Sequence, residues 1–293
     1  MVVHCGRTAC LMPQNSLCGL QLRCAADTQR PVFRLRLGAR PVHTRSEKVA
    51  LVVGGTGALG SAVAARLAGD SHAVAFTYRK NEERASELKV GIQSQGAIAF
   101  AGTPDISDAD AIGLFVADVV AHFGRLDILV YAAGPSFSLD FVPNVSPDEW
   151  RRVLDADLNG CFNVIHACLP HLRSSSGSIV AVTAAGIERA IARDILSLAP
   201  KAAMTALVRG VAFEEGRNGV RANCVAPGYI AGGIGKTIMD SVGADVSKML
   251  VGKVPLRRMG TCDEIADAVE FLCSSRASYI TGTTLFVSGG MEL

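Results

Sequence analysis

The 293-residue sequence has few aromatic residues, few charges and no long apolar run. Only 5% of the residues are aromatic and 19% are charged, whereas 49% are hydrophobic, a balance that excludes an intrinsically disordered protein. No stretch approaches the roughly 18 consecutive apolar residues of a membrane span, so no membrane partner is expected. The nine cysteines include no CxxC pair. We therefore predict no metal site, and reduced thiols as in the cytoplasm.

The net charge of +2 combines two segments of opposite sign. Residues 1–46 contain seven arginines, no lysine and one acid (net +6), whereas residues 47–293 carry 22 bases and 26 acids (net −4). The larger segment therefore offers no basic surface for nucleic acid. The basic extension has three interpretations: a cleaved targeting segment, a disordered tail, or a reading frame begun too far upstream. We favour the last two over targeting; a transit peptide would instead imply the mitochondrial matrix.

From Val49 onward, short apolar runs alternate with helical patterns. Strands are predicted at Val49–Val53, Ala73–Tyr78, Ala97–Phe100, Asp127–Tyr131, Gly177–Thr183, Val220–Val225 and Leu285–Val287. Helices between them include Ala109–His122, a long helix Pro147–Leu172 and one that ends at Glu215. This alternation predicts βαβ units. Residues 47–293 should therefore form a single doubly wound, Rossmann-type α/β domain, with a parallel seven-stranded sheet and helices on both faces.

A glycine-rich turn joins the first strand to the first helix. Gly54, Gly55, Gly57 and Gly60 fall within seven residues there. Glycine permits a tight turn and close backbone approach to a pyrophosphate, while the N–H groups at the helix start attract the anion. In this strand–turn–helix context, the pattern predicts a dinucleotide site.

The end of the second strand indicates which dinucleotide is bound. A carboxylate at this place binds the ribose hydroxyls of NAD. The sequence has Tyr78-Arg79-Lys80 instead, with no acid before Glu82. Two adjacent cations suit a ribose 2′-phosphate, so we favour NADP(H) over NAD(H). The alternative is that Arg79 and Lys80 are solvated charges at a helix start.

Further motifs follow in order along the chain. Asp105-Ile106 lies after the third strand, Tyr131–Gly134 after the fourth, and Asn223–Ile230 begins in the sixth. The C-terminal third adds Thr281-Gly282 and Gly289-Gly290. In these motifs the span 49–293 resembles the short-chain dehydrogenase/reductase superfamily, and is most similar to its 3-oxoacyl-acyl-carrier-protein (ketoacyl) reductase group.

The resemblance implies which residues contact the cofactor. Transferred position by position onto this sequence, they are Gly54, Thr56, Gly57, Leu59, Gly60, Tyr78, Arg79, Lys80, Asp105, Ile106, Ala132, Ala133, Gly134, Lys201, Pro227, Gly228 and Ile230.

The resemblance also implies a catalytic tetrad of Asn, Ser, Tyr and Lys, which this sequence keeps only in part. Lys201 matches the lysine, but Ser197 stands four residues earlier in the place of the tyrosine. The serine position falls on Ala184, with Thr183 beside it, and the asparagine position on Asp157. A serine hydroxyl is less acidic than a phenol, and its side chain is several ångström too short to act as the same general acid.

The replaced positions leave alternatives open. Ser197 precedes Leu-Ala-Pro200, which predicts that it caps the helix with Pro200 in the first turn. Asp157 is either solvated on a helix face or buried near Lys201, where it would ionise or act as a donor. Three arginines, Arg173, Arg217 and Arg221, are candidates for attracting a phosphopantetheine or an acyl carrier.

The resemblance implies an NADP(H)-dependent oxidoreductase that reduces a carbonyl of a small-molecule or thioester-bound ketoacyl substrate. Its proton donor would be Thr183, Ser197 or a water held by Lys201. One alternative is an enzyme similar to 2,4-dienoyl-CoA reductases, whose mitochondrial members have SxxxK. Another is a non-catalytic nucleotide-binding subunit paired with an active paralogue. The resemblance further implies a homo- or hetero-oligomer, a dimer or a tetramer such as a homotetramer, through the helices Pro147–Leu172 and Lys201–Glu215.

Overall fold

A parallel sheet of seven strands forms the centre of the protein. The computed structural model describes residues 48–70 and 73–293, so the predictions for residues 1–46 lie outside the described residues. The strands are β1 (Val49–Val53), β2 (Ala73–Thr77), β3 (Ala99–Gly102), β4 (Ile128–Tyr131), β5 (Ser178–Val182), β6 (Arg221–Pro227) and β7 (Thr284–Val287). Their order is β3-β2-β1-β4-β5-β6-β7 and every pairing is parallel. The predicted fold class is confirmed.

Helices cover both faces of the sheet. They are α1 (Ala58–Gly69), α2 (Glu82–Ser94), α3 (Ala109–Phe123), α4 (Pro147–Leu154), α5 (Gly160–Ser175), α6 (Ile195–Glu215), α7 (Gly233–Ser241), α8 (Ala244–Lys253) and α9 (Cys262–Cys273). Because side chains alternate along a strand, Leu51 of β1 packs in the core with α3, α5 and α6, whereas Ala50 and Val52 pack in the core with α1 and α9. Both faces of β1 are thus buried, as its unbroken apolar run predicts.

The strand order places the ligand crevice. β1 pairs with β2 on one side and β4 on the other, and from there the chain continues in opposite directions across the sheet. The loops after β1 and β4 therefore diverge, and ligands of such sheets bind at this point, beyond the carboxyl ends of the strands.

The predicted helix Pro147–Leu172 is interrupted, which corrects that prediction. α4 ends at Leu154, a π-helical turn runs over Asp155–Asn159, and α5 begins at Gly160. The buried hydroxyl of Tyr131 donates to the carbonyl oxygens of Asp157 at 3.0 Å and Ala156 at 3.3 Å. The Tyr131 hydroxyl, which lies outside the helix, thus satisfies carbonyl groups of the π-helical turn. Turns of this kind often occur at functional sites.

The start of α6 corrects a second prediction. The helix begins at Ile195 with Asp194 as its N-cap residue, and the Ser197 N–H donates to the Asp194 carbonyl at 3.0 Å. Ser197 is therefore inside the helix and does not cap it, and Pro200 lies in the helix interior. The buried side chains of Leu196 and Leu198 extend the helix towards its N-terminus, because their burial outweighs the capping preference of serine.

By length and hydropathy alone, the helical stretch Ile195–Asn218 would be able to cross a membrane. Its side chains Met204, Val208 and Val211 belong to the core on one face of the sheet. The stretch therefore occupies the position of a core helix in this fold.

Candidate functional site

A cavity of about 1260 Å³ lies beyond the carboxyl ends of β1, β4, β5 and β6. Of the cofactor-binding and catalytic residues that the resemblance implies, Gly60 and Lys80 do not line it. The others line it together: Gly54, Thr56, Gly57, Leu59, Tyr78, Arg79, Asp105, Ile106, Ala132, Ala133, Gly134, Asp157, Thr183, Ser197, Lys201, Pro227, Gly228 and Ile230. Positions spread over 177 places in the sequence thus meet around one space, because parallel strands all end at the same edge.

The glycine-rich turn after β1 lies at one end of this cavity. Gly54 has φ +83°, and a Cβ there would lie 2.8 Å from the Ala133 Cα and 2.9 Å from the Ala132 carbonyl oxygen. Gly60 lies beneath the turn, where a Cβ would come within 2.2 Å of the Gly54 carbonyl oxygen. The role of Gly60 is therefore close packing of α1 against the turn, which corrects its expected contact with the ligand. The N-cap residue Gly57 has no side chain to cap α1, so first-turn N–H groups remain available to an anion.

A cation and a carboxylate stand at the end of the cavity next to β2. Arg79 is exposed and lines it, whereas the neighbouring Lys80 does not. The Asp105 carboxylate accepts hydrogen bonds from the Ser107 hydroxyl at 2.6 Å and the Ser107 N–H at 2.9 Å. These bonds, and to a smaller degree the charge of Arg79, lower the pKa of Asp105. Arg79 is thus the only member of the predicted cation pair with access to the cavity.

Lys201 and Asp157 form an ion pair in the interior of the site. The Lys201 Nζ lies 2.9 Å from the Asp157 Oδ1, and only 13% and 4% of the two side chains are exposed. Nζ also donates to the Ala133 carbonyl at 3.5 Å, so it is held beside the loop that follows β4. Asp157 is therefore not a solvated helix-face residue. The π-turn places its carboxylate where it fixes the lysine.

The two hydroxyl candidates for proton donation differ in their surroundings. Thr183 is buried and its Oγ1 donates to the Val225 carbonyl at 3.3 Å, which joins it to the neighbouring strand. Ser197 is half-buried and lines the cavity one turn before Lys201 on α6. A serine side chain ends close to its helix, so neither residue replaces the reach of a phenol.

Asp194 and Tyr229 are among the further titratable residues that line the cavity, and the sequence alone did not point to either. Asp194 is 9% exposed, its Oδ1 has no hydrogen-bond partner among the described residues, and burial raises its pKa to about 6. Burial, followed by the charge of Asp194, raises the pKa of Tyr229, while Arg189 opposes this effect. The spacing of Asp194, three residues before Ser197 and seven before Lys201, was an available signal, because such residues share one helix face.

The arginines proposed to attract an acyl carrier have other partners. Arg173 forms two hydrogen bonds of 2.7 and 2.6 Å with the Glu215 carboxylate. Arg221, at the start of β6, donates to backbone carbonyls that include that of Leu272 at 2.7 Å. Neither they nor Arg217 line the cavity. Arg173 and Arg221 thus complete contacts within the fold, and their attraction of an acyl carrier stays a prediction.

Apolar side chains line the side of the cavity formed by α7, α8 and the C-terminus. They are Ile234, Ile238, Met239, Val242, Leu250 and Met291. Such a wall suits an aliphatic chain, because burying apolar area from both partners is favourable.

Comparison with known sequences gives relatives over nearly the whole described part of the chain. A family model described as enoyl-(acyl carrier protein) reductase matches residues 55–292. The 3-oxoacyl-(acyl-carrier-protein) reductase of Staphylococcus aureus is 33% identical over 247 residues, which cover 84% of this chain and 98% of the relative. The peroxisomal 2,4-dienoyl-CoA reductase of Saccharomyces cerevisiae is 33% identical over 248 residues, 83% of this chain and 84% of the relative.

Solved structures share the same architecture. A short-chain dehydrogenase from Burkholderia cenocepacia in complex with NADP matches with a TM-score of 0.78 and 30% identity, over 85% of this chain and 99% of its own. An NAD⁺-bound xylitol dehydrogenase matches with a TM-score of 0.79 and 28% identity, over 84% of this chain and 99% of its own. Similar structures therefore hold nicotinamide dinucleotides of both kinds.

Proposed function

Because the chain belongs to the short-chain dehydrogenase/reductase family, we propose that it is an NADP(H)-dependent reductase of thioester-bound acyl substrates. The residues present fit a dinucleotide, since Gly54 at φ +83° lets the turn pack against the backbone of Ala132 and Ala133, and the N-cap Gly57 leaves first-turn N–H groups available to a pyrophosphate. When bound, the nicotinamide supplies a hydride to the substrate. The glycine turn, Asp105 and the segment Pro227-Gly228 would hold the cofactor, and Lys201 would bind it beside the loop after β4.

The choice of NADP(H) depends on Arg79. It lines the cavity at the end of β2, where a carboxylate would be needed for the ribose of NAD. Replacing Arg79 by glutamine should weaken NADPH binding about tenfold to a hundredfold, since a hydrogen bond to a charged group contributes about 1.5–3 kcal/mol. NADH binding should change little. Fluorescence titration with both nucleotides measures this effect.

The matched control is Lys80→Gln, which removes the same charge one residue farther on, outside the cavity lining. It should leave the affinity for NADPH nearly unchanged. Equal affinity of the unaltered protein for NADH and NADPH would contradict the role of Arg79.

For the reaction itself, we infer reduction of a ketoacyl carbonyl. The observation that carries it is Lys201, whose ammonium is fixed by Asp157 in a cavity with an apolar wall. Lys201 would orient the cofactor and a water, the wall would hold the acyl chain, and the half-buried site would limit the access of bulk water. The relative from Staphylococcus aureus, named for this reaction, supports the proposal.

Reduction of a conjugated dienoyl thioester is the second candidate, and the serine at position 197 favours it. Hydride addition to a conjugated system spreads the negative charge as far as the thioester oxygen, which lessens the need for a phenol at the reacting centre. The relative from Saccharomyces cerevisiae, named for such a reaction, supports this alternative.

The test is to follow NADPH oxidation by the full chain with an acetoacetyl thioester and with a 2,4-dienoyl thioester. Faster turnover of the first would favour the ketoacyl reaction, and the reverse would favour the second candidate. NADPH binding without turnover of either would contradict an enzyme and support a non-catalytic subunit with an active paralogue.

Restoring a phenol should raise the ketoacyl rate. Ser197→Tyr should increase kcat for the acetoacetyl thioester about tenfold or more, because a positioned general acid contributes about 10²–10⁴-fold. Ser197→Phe adds the same bulk without the proton and is the control. An equal effect of both substitutions on kcat would show that size, and not proton donation, is responsible.

We further propose a homo-oligomer through α4, α5 and α6, such as a homotetramer. Phe162 on α5 is 53% exposed and Phe213 on α6 is 91% exposed, and large apolar side chains of this kind favour a protein–protein contact. We also propose a cytoplasmic location, where the five free cysteines of the described part would stay reduced. The mitochondrial alternative depends on residues 1–46 alone, and the relatives give it no support.

A further inference from the structure

Asp194 has a buried carboxyl oxygen, Oδ1, that finds no hydrogen-bond partner among the described residues. It stands at the N-cap of α6, where an aspartate ordinarily accepts a hydrogen bond from the helix N–H groups, yet its side chain accepts none. The residue is 9% exposed and lines the cavity, and its Oδ1 has no hydrogen-bond partner in the described part of the chain. Few buried polar atoms remain unpaired in native proteins, and a catalytic role is one explanation of such an atom.

The position of Asp194 on α6 relates it to the incomplete tetrad. Asp194, Ser197 and Lys201 follow one another at helical spacing and all line the cavity. The serine at position 197 has no acidic proton to donate. The Asp194 carboxyl group, which has one when protonated, lies one turn earlier on the same helix face. Tyr229 completes this end of the cavity from the loop after β6.

No cation in the described part of the chain pairs with the Asp194 carboxyl group. The Arg193 guanidinium donates to the Leu139 carbonyl at 2.8 Å, and Lys201 is paired with Asp157. Tyr229 is the titratable neighbour of Asp194, and the charge of Arg189 acts to lower the pKa of the Tyr229 phenol. Burial therefore raises the pKa of Asp194 to about 6, which keeps part of the population protonated near neutral pH.

We propose that Asp194 is the catalytic proton donor of this reductase, in place of the absent tyrosine. The inference rests on the proposed ketoacyl reduction. The O–H bond of the Asp194 carboxyl breaks and a new O–H bond forms at the substrate carbonyl oxygen, while the hydride from the nicotinamide forms the C–H bond at the carbonyl carbon. The resulting carboxylate regains a proton from solvent water before the next turnover.

The experiment measures kcat, kcat/KM and NADPH affinity for the full chain with the acetoacetyl thioester. Asp194→Asn should lower kcat about 10²-fold, with NADPH affinity unchanged, because the amide keeps the shape but is not an acid. Asp194→Glu should recover part of the rate. Asp118→Asn, on the exposed surface of α3, is the matched control and should leave kcat unchanged. In the unaltered enzyme, kcat/KM should fall about tenfold per pH unit above about pH 6, since only the protonated acid donates.

Three results would overturn the inference in distinguishable ways. Turnover by Asp194→Asn equal to that of the unaltered enzyme would exclude Asp194 as the donor and leave the proposed function intact. Loss of turnover in Tyr229→Phe but not in Asp194→Asn would assign the proton to the phenol. NADPH binding without any thioester turnover in the unaltered enzyme would overturn the proposed function, and the inference with it.

Discussion

Replacing Lys201 by methionine should remove measurable turnover, because Lys201 would orient the cofactor. It should also destabilise the fold, because it leaves the buried Asp157 carboxylate without its cation. Only 4% of the Asp157 side chain is exposed, and the Lys201 Nζ lies 2.9 Å from its Oδ1. Removing one partner of a buried ion pair costs about 3–5 kcal/mol of unfolding free energy. Urea unfolding and NADPH oxidation measure the two effects separately.

A double substitution and a surface pair are the controls for this prediction. Lys201→Met with Asp157→Leu removes both charges, so stability should largely return while turnover does not. Lys236→Met breaks the exposed pair of Lys236 with Asp240, whose side chains are 61% and 63% exposed, and should cost less than about 1 kcal/mol. Equal losses of stability in Lys201→Met and Lys236→Met would contradict the buried pair.

Replacing Gly60 by alanine should strongly weaken both dinucleotide binding and the fold. The new Cβ would lie 2.2 Å from the Gly54 carbonyl oxygen. Because this oxygen belongs to the backbone, it cannot move aside by a side-chain rotation. Either α1 or the phosphate turn must move, and overpacking of this kind costs about 1–3 kcal/mol. We expect NADPH affinity to fall by about a hundredfold or more, since an anion site depends on the placement of backbone N–H groups. Calorimetric titration and thermal unfolding measure the two losses.

Gly91→Ala is the matched control for Gly60→Ala. Gly91 lies in α2, and a Cβ there would have no neighbour within 4 Å. Alanine should stabilise this helix position by up to about 1 kcal/mol and leave NADPH affinity unchanged. Unchanged NADPH affinity in Gly60→Ala would show that α1 and the turn accommodate the added carbon atom.

Local patterns in the sequence were sufficient for the fold and for much of the cofactor side of the site. A strand buried on both faces has to be an apolar run, so Val49–Val53 was recognisable. A turn that places the backbone against an anion has to be glycine-rich, so Gly54 was recognisable as well. Both properties are fixed by neighbours in the chain.

Helix boundaries were less predictable, because packing decides them. Ser197 is a good capping residue by type, yet the burial of Leu196 and Leu198 starts α6 two residues before it. The break between α4 and α5 has no mark in the local sequence. It is stabilised in part by the hydroxyl of Tyr131, which comes from a strand more than twenty residues away.

By itself, the sequence determined a doubly wound domain and a glycine-rich turn between its first strand and first helix, because both are encoded in neighbouring residues. Only the tertiary structure decided the partner of Lys201, which is 44 positions from Asp157 in the chain, and the isolation of Asp194. It also decided that Arg79 reaches the cavity while Lys80 does not. These contacts and exposures depend on which side chains meet at the edge of the sheet and on how much water reaches them. Neither can be read from the local sequence pattern.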